Sequence, residues 1–176
     1  VKIGNVLRAG SRDFSEISGI ALKNRDGRII FNNTQDVITD LDELPFPAWD
    51  LLPMNKYWDL SRPHGGDFAP GTRIQYASLM TSRGCPFACA YCHISKESTG
   101  SLAGNIGGYR MKSLERVMEE IHTLKGMGVE YTFIEDDSLL AKKQRTIEIL
   151  RALAGQSVRL IDVNGVNIVH LAKNDG

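Results

Sequence analysis

The stretch TSRGCPFACAYC, residues 81–92, contains every cysteine of the 176-residue chain. Cys85, Cys89 and Cys92 follow the spacing C-x3-C-x2-C. An odd number of closely spaced thiols is not the pattern of a secreted disulfide framework, and thiols that remain reduced indicate the cytoplasm. The stretch therefore points to a group that needs three thiols at one place.

The segments around and after this stretch alternate between strand and helix patterns. β-Prone runs occupy residues 73–82, 129–137 and 158–165, and amphipathic runs occupy residues 113–128 and 141–155. This order is typical of parallel βα units, which wind right-handed into an open sheet or a barrel. Chemistry in such folds gathers at the carboxyl ends of the strands, where the cysteines lie. The sequence therefore predicts an α/β fold with about three βα units after residue 72.

Both predicted helices have apolar faces that suit packing against a sheet. Ser113 is a natural N-cap for the first helix. Its apolar stripe consists of Leu114, Val117, Met118, Ile121 and Leu124. The inward residues expected of the second helix are Ile147, Leu150 and Leu153.

A β-hairpin is predicted at residues 17–33, upstream of the βα units. The runs ISGIAL and RIIFNN are β-prone, and Asp26 and Gly27 between them form a turn signal. We therefore expect two antiparallel strands in this region.

Residues 40–70 contain five of the six prolines. Proline breaks helices and cannot donate to a sheet ladder, so we expect mostly irregular chain. The large apolar residues of this region are Leu44, Phe46, Trp49, Leu51, Leu52, Tyr57 and Trp58. A flexible linker would be poor in such residues, so we predict an ordered segment that packs on a neighbouring core.

Composition excludes several classes of function. Lys plus Arg equals Asp plus Glu, so no strong field draws the chain to nucleic acid or to an anionic membrane. No apolar run approaches the ~20 residues of a membrane span. The first residues lack a signal peptide and an initiator Met, so we expect an internal piece of a longer protein.

Three metal states are open for the cysteines. Three thiolates on a tight loop can bind three irons of a cubane cluster and leave the fourth iron open. Structural zinc prefers four ligands, and His93, the only nearby candidate, follows Cys92 immediately. The third reading is three structural cysteines without metal. The spacing favours the iron–sulfur cluster.

The stretch RGCPFACAYC resembles the radical S-adenosylmethionine (SAM) signature, C-x3-C-x-aromatic-C, with Tyr91 as the aromatic residue. The resemblance implies a [4Fe–4S] cluster on Cys85, Cys89 and Cys92, with SAM on the open iron. It also implies one-electron cleavage of SAM to methionine and a 5′-deoxyadenosyl radical, driven by an electron donor such as ferredoxin or flavodoxin. The implied fold is part of a (β/α)6 barrel.

The second predicted strand ends in FIEDDSLL, residues 133–140. In the family this strand end holds the SAM amino group, so the resemblance implies cofactor contacts from Glu135, Asp136 and Asp137, with Asp137 at the position of the family's glutamate. A carboxylate at a strand's carboxyl end can bind an ammonium group. The alternative reading is a solvated acidic turn before the next helix.

Three stretches resemble radical SAM proteins that carry an N-terminal cobalamin-binding domain: DLDELPFPAWDLLP, YRMKSLERVMEEI and FIEDDSLL. The resemblance implies that residues 1–38 end such a domain, 39–72 are the linker and 73–176 are the first half of the barrel. It implies methylation, cyclisation or rearrangement of a small-molecule substrate, with cobalamin bound upstream. We expect the chain to be inactive alone. The alternative is a non-catalytic iron–sulfur or zinc module.

Several further features carry weaker signals. The Gly-rich run GNIGG, residues 104–108, fits a mobile loop better than a phosphate cradle. Arg110 fits either a place facing the site or a cap on the next helix. The isolated histidines, for which surface or packing roles are favoured, are His64, His122 and His170. Trp49 and Trp58 fit packing anchors better than a substrate platform.

Overall fold

The computed structural model describes residues 2–32, 37–60, 68–69, 71–97 and 105–172. The chain divides into two compact units, Val1–Ile38 with Phe87–Gly108 and Thr39–Pro86 with Tyr109–Gly176. Among the described residues, no helix has the length and apolar character needed to cross a membrane. The division into domains at residues 1–38, 39–72 and 73–176 stays a prediction.

The regular elements follow one another along the chain in this order: α1 (Lys2–Arg8), β1 (Ala21–Lys23), β2 (Ile29–Phe31), α2 (Met54–Leu60), β3 (Tyr76–Leu79), β4 (Ser82–Arg83), α3 (His93–Glu97), β5 (Arg110–Met111), α4 (Leu114–Gly126), β6 (Tyr131–Ile134), α5 (Lys143–Leu153), β7 (Arg159–Asp162) and α6 (Ile168–Ala172). Short 3-10 turns cover Leu41–Glu43, Trp49–Leu51 and Leu139–Lys142.

The predicted hairpin is confirmed in the first unit. Strands β1 and β2 pair antiparallel, with Leu22 opposite Ile30. Gly27 closes the turn with a φ of 82°, a conformation that glycine adopts without steric cost. The side-chain amide of Asn32 donates to the carbonyl oxygens of Phe14, Ser15 and Ile17 at 2.7–2.9 Å. These bonds tie the segment before the hairpin to its second strand.

The second unit contains the predicted parallel sheet. Its strand order is β3-β6-β7, and both neighbouring pairs are parallel. Leu79, Ile134 and Asp162 stand in register at the carboxyl ends of the three strands. The helices α4 and α5 connect successive strands, so the α/β fold with βα units of a partial barrel is confirmed. The predicted strand 73–82 is divided, because β3 ends at Leu79 and the short β4 pairs with β5 instead.

The main core lies between the sheet and these two helices. Its buried members are Leu79, Val117, Ile121, Ile134, Ile149, Leu153 and Val158. The Ser113 hydroxyl caps α4 by accepting the Arg116 N–H at 3.0 Å, as predicted. The predicted stripe of α4 is confirmed, with Leu114 and Met118 at its edge.

The predicted inner face of α5 is partly wrong. Leu150 is 52% exposed, whereas Ile149 and Thr146 are buried. A helix turns 100° per residue, so residues 147, 150 and 153 drift around its axis, while 146, 149 and 153 share one face. The Thr146 hydroxyl fixes this orientation by donating to the Leu139 carbonyl at 2.7 Å.

The proline-rich segment is ordered over residues 39–60, and the packing prediction is correct in part, since Leu44, Phe46 and Trp49 are half-buried. Leu51 is 79% exposed, and Leu52 and Tyr57 are also exposed. Trp58 is buried and donates its indole N–H to the Tyr76 carbonyl at 2.7 Å. Tyr57 precedes Trp58 on α2, and neighbouring residues of a helix cannot share one face. Leu41, which was not among the predicted packing residues, is 1% exposed and is the most buried apolar residue among the described side chains of the segment.

We predict that Trp58→Ala destabilises the protein by about 3–5 kcal/mol, because it leaves a cavity and an unpaired carbonyl. Tyr57→Ala is the matched control: the neighbouring ring is 47% exposed, so we expect a change within about 0.5 kcal/mol. Chemical denaturation of both variants measures the difference. Equal losses of stability in the two variants would contradict the observed packing.

Asp162, the last residue of β7, has both carboxylate oxygens out of contact with solvent and without a full hydrogen bond in the described part of the chain. Burial raises the pKa of Asp162, the Asn164 backbone N–H opposes this rise, and Asp136 adds to it. A carboxyl whose pKa is higher in the folded state binds its proton more tightly there, so its charge destabilises the fold as the pH rises.

We therefore predict that Asp162→Asn raises the melting temperature at pH 7. The gain should shrink as the pH falls toward the ordinary carboxyl pKa and vanish below it. There the wild-type carboxyl is protonated in both the folded and the unfolded protein. Thermal unfolding of wild type and variant across this range measures the effect. A gain that stays constant with pH would show that charge burial is not its cause.

Candidate functional site

The cysteine stretch begins at the carboxyl end of the first parallel strand. Strand β4 leads through Gly84 to Cys85. Gly84 has a φ of 78°, in the left-handed region where a side chain is strained. Its buried backbone N–H donates to Oδ2 of Asp137 at 2.9 Å. The residue before Cys85 is thus joined to the carboxyl end of β6.

Asp136 lies next to Thr81 and Ser82 and is 1% exposed. Its Oδ1 accepts the Thr81 backbone N–H, and its Oδ2 accepts the hydroxyls of Thr81 and Ser82, each at 2.6 Å. Its own carbonyl accepts the side-chain amide of Asn164 at 3.1 Å. Asp136 therefore joins the residues after β3 to those after β6 and β7.

Arg145 of α5 reaches the same segment from the helical layer. Its Nη2 donates to the carbonyls of Thr81 at 3.0 Å and Lys112 at 2.7 Å, and its Nη1 donates to the Thr81 hydroxyl at 3.2 Å. The Thr81 hydroxyl thus accepts from Arg145 and donates to Asp136. This arrangement places a positive charge one hydroxyl away from the buried carboxylate, which offsets the cost of burying it.

The Tyr109 hydroxyl is buried near this network and makes no full hydrogen bond within the described residues. Burial raises its pKa; Ser82 and Arg145 oppose the rise, while Asp136 and Cys85 add to it. Tyr109 and Arg145 were not predicted as site residues. Arg145 is a single side chain from α5 that no local sequence pattern marks. Tyr109 opens the family-like stretch YRMKSLERVMEEI, but that pattern does not single out its hydroxyl.

Cys89 and Cys92 belong to the first unit, whereas Cys85 belongs to the second. The Cys92 N–H donates to the Cys89 carbonyl at 3.1 Å, and the Ser95 hydroxyl donates to both cysteine carbonyls at 2.6 and 2.8 Å. These bonds hold the turn that leads into α3. Tyr91, between the two cysteines, is 92% exposed.

The chemistry of the cysteines suits a metal cluster, since all three thiols are free and half-buried. Within the described ranges, however, no three His, Cys, Asp or Glu side chains are grouped as ligands of a metal ion. The assignment of a cluster to Cys85, Cys89 and Cys92 therefore stays a prediction from the spacing. His93, the zinc alternative, has an exposed side chain at the start of α3.

The three acidic residues of the predicted SAM-binding segment, Glu135, Asp136 and Asp137, have different surroundings. Glu135 accepts the Ser78 hydroxyl at 3.0 Å and borders a cavity of about 260 Å³, which Trp49 and Arg83 also line. Asp137 is exposed, and only its Oδ2 takes part in the bond to Gly84. Asp136 alone is fully enclosed. The alternative reading of a merely solvated acidic turn is therefore wrong for Asp136.

The residues with weaker sequence signals lie in different parts of the chain. Arg110 lies in β5, opposite Arg83. His122 is exposed on α4, and His170 is half-buried on α6. His64 and Gly104 lie outside the described residues.

Comparison with known proteins places the chain in a family. Residues 79–171 match the model of the radical SAM superfamily. An uncharacterised methyltransferase of Pyrococcus horikoshii is 31% identical over 78% of this chain and 26% of its own length. Hopanoid C-3 methylase of Methylococcus capsulatus is 34% identical over 68% of this chain and 19% of its own length. This chain thus spans about a fifth to a quarter of these relatives.

Solved structures show the same fold. The structure of the cobalamin-dependent SAM radical enzyme OxsB superimposes on 90% of this chain with a TM-score of 0.62. The two sequences are 17% identical, and the match spans 20% of the OxsB chain. The radical SAM methyltransferase TsrM from Kitasatospora setae covers 90% with a TM-score of 0.55 and 14% identity, over 30% of its own length. The residues that match the family model begin at Leu79 and include the cysteine stretch, residues 81–92. The chain belongs to the radical SAM superfamily.

Proposed function

We propose that this chain is the cluster- and SAM-binding part of a radical SAM enzyme of the methyltransferase type. In this proposal Cys85, Cys89 and Cys92 bind a [4Fe–4S] cluster and leave one iron for SAM. The observation that carries the proposal is the C-x3-C-x2-C spacing directly after the first parallel strand, with Cys85 tied to the acidic end of the second strand through Gly84. Active sites of parallel α/β folds lie at these strand ends.

The bound groups would supply a one-electron reduction that breaks a carbon–sulfur bond of SAM and yields methionine and a 5′-deoxyadenosyl radical. The residues of this chain supply the binding. We assign the SAM ammonium group to Asp137, because its carboxylate is exposed and, among the described residues, only its Oδ2 accepts a hydrogen bond. Glu135 lies at the same strand end and is the second candidate. Asp136 is less suited, since both of its oxygens accept buried donors. Tyr91 is the remaining proposed contact.

The relatives include a methyltransferase and a methylase, which supports methyl transfer, and the enzymes of similar fold bind cobalamin, which supports a cobalamin-dependent reaction. No residue of this chain is assigned to cobalamin, which we place upstream. The proposal further includes a small-molecule substrate, a donor of single electrons such as ferredoxin or flavodoxin, and a cytoplasmic location that keeps the thiols reduced.

The cysteine assignment predicts that Cys85→Ala, Cys89→Ala and Cys92→Ala each abolish cluster binding, because the chain has no spare cysteine. Iron and sulfide per chain after anaerobic reconstitution measure this. His93→Ala is the matched control: an iron–sulfur cluster should survive it, whereas a zinc site that uses His93 should lose its metal. Full loading of any one cysteine variant would remove that residue from the ligand set.

The ammonium assignment predicts that Asp137→Asn weakens SAM binding about tenfold while the iron content is unchanged, since the substitution removes charge and preserves size. Titration of the reconstituted protein with SAM measures the dissociation constant. Asp50→Asn, an exposed carboxylate in the proline-rich segment, is the control. An unchanged SAM affinity in Asp137→Asn would show that the ammonium group binds elsewhere.

A further inference from the structure

We infer that Asp136 and Asp137 position the cysteine loop, and that this role is separate from any contact with SAM. The inference rests on the proposed function, because it concerns the placement of a proposed cluster ligand. It adds a structural task for two acidic residues that sequence alone suggests only as SAM contacts. Both residues act on the segment that runs from Thr81 to Gly84, directly before Cys85.

Several hydrogen bonds converge on the segment from Thr81 to Gly84. Asp136 accepts two of its hydroxyls and one of its backbone N–H groups at 2.6 Å. Asp137 accepts the N–H of Gly84 at 2.9 Å. Three of the four residues before Cys85 are therefore bound to two consecutive residues after β6.

Most of these hydrogen bonds are buried. Thr81, Ser82 and Asp136 are each at most 1% exposed. A buried carboxylate that loses a donor, or a buried hydroxyl that loses its acceptor, has no water to replace it, so this segment has few alternative conformations. Arg145 further limits it by binding the Thr81 carbonyl at 3.0 Å.

Gly84 is the residue directly before Cys85. Its positive φ sets the direction in which the chain leaves β4 toward Cys85. The bond from its N–H to Asp137 holds that conformation in place. Loss of a group that hydrogen-bonds a metal ligand commonly weakens metal binding about 10–100-fold. Asp137 binds the residue before the proposed ligand, so we expect an effect at the lower end of this range.

The two roles of Asp137 can be separated by comparing two substitutions. Asp137→Asn keeps an oxygen that can accept from Gly84 but loses the charge, whereas Asp137→Ala loses both. If Asp137 positions the loop, we expect Asp137→Ala to lose cluster iron to a chelator about tenfold faster than wild type, and Asp137→Asn to stay close to wild type. Weaker SAM binding in Asp137→Asn with normal iron retention would support both roles.

A second readout needs no cluster. In the apo-protein, the alkylation rate of Cys85 should change several-fold in Asp137→Ala and stay nearly constant in Asp137→Asn. Cys89 and Cys92 serve as internal references, and mass spectrometry of the peptides resolves each rate. Ser82→Ala, which removes one donor to Asp136, should change the Cys85 rate in the same direction, and Asp50→Asn should not.

Two results would overturn the inference. One is normal iron retention together with an unchanged Cys85 rate in both Asp137→Ala and Ser82→Ala. The other is an equal effect of Asp137→Ala and Asp137→Asn, because charge and not the bond to Gly84 would then be the cause. Unchanged SAM affinity in Asp137→Asn, with defective iron retention in Asp137→Ala, would overturn only the proposed SAM contact.

Discussion

The burial of one carboxylate, Asp136, constrains the arrangement of the whole strand-end region. A charge that is removed from water must be met by donors, and Asp136 finds three of them on Thr81 and Ser82. These donors belong to the segment after β3, whereas Asp136 follows β6. The bonds therefore fix the carboxyl ends of two neighbouring parallel strands to each other. They also fix the positions of the residues that follow these strand ends.

A neighbouring helix supplies positive charge that stabilises the buried carboxylate. Arg145 provides a positive charge from α5 through the Thr81 hydroxyl. A buried ion pair lies nearby, where Lys112, directly after β5, binds Glu120 of α4 at 2.6 Å. Arg145 also binds the Lys112 carbonyl, so α5 is joined to the residue after β5 and, through this pair, to α4. Buried pairs of this kind add little net stability, but removing one partner is costly.

The elements with strong local patterns were predicted from sequence. These elements are the alternating strands and helices of the βα units, the N-cap at Ser113 and the hairpin turn at Gly27. Each depends on residues that are close together in the chain. The inner face of α5 was misplaced, because its apolar residues allow two neighbouring faces and only packing selects one. The exposure of Leu51 and Tyr57 was missed for a similar reason, since apolar composition alone does not say which side chain packs.

The candidate site shows the same division. The spacing of the cysteines and the acidic end of β6 are local signals, and they identified the family and the region. The separate roles within the acidic segment depend on which donor lies opposite each carboxylate, and that follows from pairing between strands some 55 residues apart. Arg145 reaches the region from α5, and no motif marks it. Tyr109 opens the family-like stretch YRMKSLERVMEEI, but that resemblance does not indicate that its hydroxyl lies near the cysteine stretch.

The most direct test of this account is the electron paramagnetic resonance spectrum of the anaerobically reconstituted and reduced protein, recorded with and without SAM. The account predicts one [4Fe–4S] signal per chain that depends on all three cysteines and changes when SAM is added, because SAM occupies the iron that has no protein ligand. A cluster whose spectrum is indifferent to SAM, or a chain that binds zinc in its place, would contradict the central claim.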